Sequence, residues 1–171
     1  MKVGYAILYK NGELIISKNH SLLKRTIIKD YGEFEDINVP WKKESEQIKK
    51  VQILDPVKSN YMKAWFKDCL YLKTLINFKD LNTSDCTDFS WIFYNCKSLQ
   101  DLNELQNWNV SNGIYFPNMF AFCKSLQEIY ITNTLDILTK EMFYDCNSNL
   151  KIHWKKHDYT YADLIEYGKI C

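Results

Sequence analysis

Four of the six cysteines in this chain, Cys69, Cys96, Cys123 and Cys146, stand 27, 27 and 23 residues apart. That regularity invites a reading as metal ligands or as redox partners. Zinc and iron–sulfur sites take ligands in close pairs, and no C-x-x-C or C-x-x-H accompanies any of the four. A shared repeat position instead places them in one lane, where a reduced cysteine serves as a small buried apolar side chain. Cys86 and Cys171 fall outside the lane and are the candidates for reactive thiols, although no neighbour in sequence marks either as activated.

The histidines are His20, His153 and His157, the last two in a basic patch with Lys151, Lys155 and Lys156. Hydrolysis would require carboxylates or a nucleophile grouped with them. Asp158 and Asp163 are near in sequence but read as solvated residues of a terminal cap. Gly-rich phosphate loops, G-x-S-x-G and H-E-x-x-H are all missing. The expectation is a protein with no catalytic residues, no metal, no cofactor and no small-molecule substrate.

A formal net charge of +1, with 46% apolar and 25% charged residues, offers no bulk attraction toward nucleic acid or anionic membrane. No stretch approaches the roughly 20 apolar residues of a membrane helix. The run Met1-Lys2-Val3-Gly4-Tyr5-Ala6-Ile7-Leu8-Tyr9-Lys10 lacks a cleavage site, so a cytoplasmic location is expected.

The elements that must position these residues follow from periodicity. Alternating runs at 3–9 and 13–17, joined through Asn11-Gly12, spell a β-hairpin, and residues 1–45 read as a β-rich N-terminal cap. Each lane cysteine closes an apolar pattern at i, i+3, i+4 and i+7: Met62, Trp65, Phe66, Cys69; Phe89, Ile92, Phe93, Cys96; Phe116, Met119, Phe120, Cys123; and Thr139, Met142, Phe143, Cys146. This spacing predicts one face of a short helix. A leucine lane then begins strands at Ile48, Leu72, Leu99, Leu126 and Leu150, at steps of 24, 27, 27 and 24 residues. A third lane holds Leu81, Trp108 and Leu135. Periods of this length predict an α/β leucine-rich-repeat solenoid over residues 46–154, with five coils, a parallel sheet on one side and short helices on the other. Residues 155–171 read as a C-terminal cap, with Thr160 and Asp163 opening a short helix and Gly168 closing it.

Phe93-Tyr94-Asn95-Cys96-Lys97-Ser98-Leu99 and Phe120-Ala121-Phe122-Cys123-Lys124-Ser125-Leu126, with Trp108-Asn109-Val110-Ser111-Asn112 between them, resemble the BspA-like leucine-rich repeats of bacterial surface proteins over about residues 48–154. The resemblance implies a leucine-rich-repeat fold and macromolecular binding, commonly in adhesion.

Strand alternation turns Lys73, Gln100, Gln127 and Lys151 outward in one row, and Ile76, Asn103, Tyr130 and His153 in another. Tyr130 and Ile76 are apolar where the face need not be, and an exposed tyrosine is a common anchor of protein interfaces. Trp91 lies off the apolar face of its segment and is the remaining candidate for partner contact. The expected function is a non-catalytic protein-binding module, an intracellular inhibitor or adaptor that covers a partner's surface. A phage or mobile-element protein blocking a host defence complex, as an anti-CRISPR does, is one form of it. A surface adhesion fragment of the BspA type is the alternative, and a nucleic-acid-contacting protein the third reading.

Overall fold

Asn11 and Gly12 turn the first two strands back on each other, Gly12 with φ 82° and its amide bonded to the Tyr9 carbonyl at 2.9 Å. A Cβ on Gly12 would lie 2.7 Å from the Gln47 carbonyl oxygen, so no other residue fits the turn. The computed structural model describes residues 2–20, 23, 25–132, 134–136 and 138–170; Cys171 lies outside them.

β1 (Lys2–Tyr9) pairs antiparallel with both β2 (Glu13–Ser17) and β3 (Ile27–Glu35). β2 then pairs parallel with β4 (Lys50–Ile53), while β5 (Val57–Lys58) pairs with a strand further on. β6 (Thr74–Ile76) adds parallel to β4, closing a five-stranded mixed sheet in the order β3-β1-β2-β4-β6. The partner of β5 is β7 (Leu81–Asn82). A second mixed sheet contains β8 (Glu128–Tyr130), and β9 (Leu138–Thr139) follows it. β10 (Lys151–Trp154) lies parallel to β8 and antiparallel to β11 (His157–Thr160). α1 (Tyr161–Tyr167) and β12 (Lys169–Ile170), which pairs with β9, end the chain. Thr160 and Asp163 form a reciprocal capping box at the start of α1, and Gly168 ends it at φ 72°.

The leucine-rich-repeat solenoid is not what the chain forms. The sheets are mixed, and β6 and β8 belong to different sheets. Asn77 ends β6 in a left-handed conformation, φ 58°. The strand expected at Leu99 is a single bridge, Asp101 to Glu128. There the Asp101 carboxylate accepts from the Asn103 amide, and residues 103–107 turn into a 3-10 helix.

The four cysteine-ended segments are not α-helices. Amides of Ala64, Phe66 and Asp68 donate to the Ser90, Ile92 and Tyr94 carbonyls of the next segment, while those of Trp65, Lys67 and Cys69 donate three residues back. Phe89, Trp91, Phe93 and Asn95 repeat the first pattern against Tyr115, Pro117, Met119 and Ala121. Half of the donors thus leave the segment, and no α-helical ladder remains for them. Left-handed residues recur in register, at Ala64, Trp91 and Asn118 and again at Asp68, Asn95, Phe122 and Asp145, where a right-handed helix has no place for them.

These stacked double turns still turn one apolar face inward. Trp41, Phe66, Phe93, Phe120 and Phe143 form a column of near-parallel rings with centroids 6.2, 5.5, 6.2 and 5.2 Å apart. Beside it the cysteine thiols climb from one segment to the next. Cys96, Cys123 and Cys146 donate to the carbonyls of Phe66, Phe93 and Phe120 at 3.1, 3.2 and 3.0 Å. Trp41 Nε1 donates to the Trp65 carbonyl at 2.7 Å and fastens the 3-10 helix Pro40–Gln47, which follows β3, to the first segment. No helix among the described residues is long and apolar enough to cross a membrane.

Candidate functional site

Parallel pairing of β8 with β10 sets Tyr130 directly beside His153, and antiparallel pairing of β10 with β11 sets His153 beside Asp158. The three side chains form one cross-strand row, and Glu128, two residues before Tyr130, shares its face. The Tyr130 and His153 rings stack at 4.3 Å and 16°. His153 Nδ1 lies 2.7 Å or less from carboxylate oxygen, at 2.6 Å from Asp158 Oδ1, and Nε2 lies 2.7 Å from Glu128 Oε1. The Tyr130 hydroxyl donates to the same Glu128 oxygen at 2.9 Å.

The turn between β10 and β11 is Lys155-Lys156, both left-handed at φ 49° and 65°. Two left-handed residues are what a two-residue hairpin turn demands, and asparagine and glycine usually supply them. Lys155 Nζ sits 4.3 Å from the Trp154 ring centroid, and Trp154 Nε1 donates to the Leu135 carbonyl at 3.1 Å. Tyr130, His153, Asp158 and the turn at residues 154–156 border an open cleft of about 360 Å³, which Gln106 and Ile131 also line.

Two carboxylates therefore flank His153, and Asp158 does so while remaining the solvated residue that the sequence predicts, its side chain 82% exposed. The arrangement is nevertheless one that holds the imidazole rather than freeing it. Both ring nitrogens lie within hydrogen-bond distance of carboxylate oxygens, which fixes the orientation of the ring. The Tyr130 side chain, bonded at its hydroxyl and stacked along one face, is held in place and remains partly exposed.

The Tyr130 hydroxyl, and after it the His153 imidazole, hold the Glu128 carboxyl below its usual range, and Glu128 in turn pushes the Tyr130 hydroxyl up. A carboxyl lowered in the folded state stabilises the protein above its unfolded value, and loses that contribution as pH falls through the folded one. The melting temperature is expected to decline below about pH 4, and Glu128→Gln to shallow that decline in thermal melts collected across the acid range. An unchanged acid limb in the variant would show that the cluster does not couple to folding.

The remaining candidates are distributed. Gln100, Gln127 and Lys151 are exposed and stack through backbone bonds from Gln127 to Gln100 and from Lys151 to Gln127. Ile76 ends β6 of the five-stranded sheet, Lys73 precedes that strand with its amide donating to the Lys49 carbonyl, and Asn103 starts a 3-10 helix rather than continuing a strand. Trp91 lies on the turns, half-buried, with Lys63 Nζ and Lys67 Nζ 4.9 and 5.7 Å from its ring centroid. Its left-handed backbone, φ 57°, costs an ordinary side chain about 1–3 kcal/mol. Cys86 is not a reactive thiol: it is buried, its Sγ donates to the Asp88 carbonyl, and burial pushes it up to about 12. Burial likewise raises Cys69, Cys96, Cys123 and Cys146. No group of three or more His, Cys, Asp or Glu among the described residues is placed to hold a metal.

Glu128 and Asp158 could not be found from spacing, because their meeting with His153 depends on the register of three strands. Lys155-Lys156 hid the hairpin that presents Asp158, since the residues carry none of the usual turn signal.

The family model described as "Mycoplasma protein of unknown function, DUF285" matches residues 37–160. That match replaces the resemblance to BspA-like repeats, and the adhesion reading that rested on the resemblance is not carried further. No curated protein matches the chain. No solved structure matches it either.

Proposed function

We propose that this chain, which belongs to the DUF285 family, is a non-catalytic module that binds a partner protein inside the cell by covering part of its surface. The observation that carries the reading is the Tyr130–His153 pair, stacked at 4.3 Å and clamped by Glu128 and Asp158. Aromatic anchors dominate interface energetics when they are fixed before binding, because little side-chain entropy remains to be lost. Gln127 and Lys151 continue the face as a polar rim beside it. Occupying a partner's surface requires no more than such an anchor and rim, and an inhibitor or adaptor can act in this way.

The test is a paired capture from the host cell's lysate with wild-type and Tyr130→Ala bait, followed by mass spectrometry and reconstitution of the recovered pair. A stoichiometric protein is expected on the wild type, with at least tenfold weaker binding to the variant, as for a hot-spot tyrosine worth about 2 kcal/mol. The melting temperature of the variant is expected to stay within about 2 °C, the shift of a surface substitution. Equal capture by both baits would remove Tyr130 from the interface. Recovery that disappears on nuclease treatment would overturn protein binding in favour of nucleic acid.

A further inference from the structure

Trp91 combines three properties that packing does not explain. Its ring is half-buried on the turn side, whereas Trp41, Trp65, Trp108 and Trp154 are at most 2% exposed. Its backbone is left-handed at a position where the neighbouring segments place Ala64 and Asn118. Asparagine tolerates that conformation and tryptophan does not favour it, so the fold would be better served by another residue. Two ammonium groups also gather on the ring: Lys63 Nζ at 4.9 Å and Lys67 Nζ at 5.7 Å, with Lys67 also 5.1 Å from Tyr94.

The ring opens onto a cleft of about 330 Å³ that Lys42 joins from the N-terminal side. Ile37, 66% exposed, and Val39 supply its apolar wall. Among the described residues no carboxylate lines this cleft; the nearest to its lysines is Asp88, 4.0 Å from Lys63 Nζ and already accepting from the Ser90 amide. Three cations converge on an apolar wall, and the one carboxylate that reaches them among the described residues, Asp88, pairs with Lys63 alone. That is the complement of carboxylates carried next to an apolar side chain. A nucleic-acid base would need the open face of the indole for stacking, and ammonium groups already engage that ring.

From these features we infer that the cleft of Lys42, Lys63, Lys67 and Trp91 is a second binding surface, one that takes an acidic segment of a partner protein bearing an apolar side chain beside its carboxylates. It is separate from the Tyr130–His153 face, which lies on the strands of the second sheet. Lys63 and Lys67 bind the carboxylates while the indole orients their ammonium groups, and Ile37 and Val39 receive the apolar side chain.

The probe is a fluorescein-labelled peptide of three Glu-Glu-Leu repeats, read by anisotropy and by acrylamide quenching of tryptophan emission, which reports chiefly on Trp91. Expected results are saturable binding that weakens with salt, protection of Trp91 from acrylamide, and a loss of about tenfold or more in Lys63→Glu/Lys67→Glu. Trp91→Asn is expected to lose binding to a similar degree while melting at the same temperature or higher, and Tyr130→Ala to bind the peptide as the wild type does. Absence of binding, or binding indifferent to the charge reversal, would overturn the inference. So would a nine-residue oligothymidylate that competes as well as the peptide, or a marked drop in melting temperature for Trp91→Asn, which would make the ring a structural one.

Discussion

Replacing Arg25 and Lys50 together by alanine is expected to lower stability by about 3–5 kcal/mol, and the melting temperature by roughly 6–20 °C. Both cations pair with Glu13, the first residue of β2, whose side chain is 1% exposed. Lys50 faces it directly across the β2–β4 pairing, and Arg25 approaches from the segment ahead of β3. Among the described residues no hydrogen bond of good geometry reaches either Glu13 carboxylate oxygen, so the charges of Arg25 and Lys50 are what offsets its desolvation. Removing them leaves an uncompensated buried anion, whereas the cations themselves, 46% and 35% exposed, can be solvated when Glu13 is removed instead. Adding Glu13→Leu to the double variant is therefore expected to restore most of the loss, since an apolar group of similar size suits the site better than a lone carboxylate. Chemical denaturation of the three proteins measures this directly. A double variant within about 1 kcal/mol of wild type would show that Glu13 reaches water and that the pair is an ordinary surface one.

Phe93→Ala is expected to cost about 3–5 kcal/mol, at the upper end for a core truncation. The ring is fully buried and lies 5.5 Å from Phe66, 6.2 Å from Phe120 and 6.4 Å from Trp108. A void there loses partners on both sides of the column at once. Relaxation is restricted because the backbone on each side is tied by the bonds from Phe66 to Ile92 and from Phe93 to Met119. Urea unfolding should show the loss as a lower midpoint at an unchanged slope. A cost below about 1.5 kcal/mol would mean that the turns close over the gap, and that the column is softer than its spacing suggests.

The column was legible in the sequence as a lane. Phe66, Phe93, Phe120 and Phe143 recur at the same place in their segments, as do the cysteines three positions later in each. What was not legible was the backbone that carries them. Apolar residues at i, i+3, i+4 and i+7 share a face in an α-helix, and they share one equally in two successive tight turns. Sequence periodicity reports the direction of side chains and is silent about the partners of the amides. Those partners lie 26 residues away in the pairs Ala64–Ser90 and Trp91–Pro117, beyond the reach of any local propensity. The leucine lane misled in a similar way. Leu72, Leu99, Leu126 and Leu150 are all buried, yet Asn77 and the turn at Asn103 interrupt the ladder that the lane implied.

Of the candidate site, Tyr130 could be singled out as apolar at a position not required to be so, His153 by its place in the same outward row, and Trp91 by lying off the apolar face of its segment. Sequence alone determined the hairpin at Asn11-Gly12, the capped helix begun by Thr160, and the lanes of phenylalanine, cysteine and leucine, since each rests on local geometry or on a period. Tertiary structure alone decided that the segments are turns, that the sheets are mixed and separate, and that Glu128, His153 and Asp158 meet. These outcomes depend on strand register and on backbone bonds between distant residues, where a shift of one position would send every side chain to the opposite face.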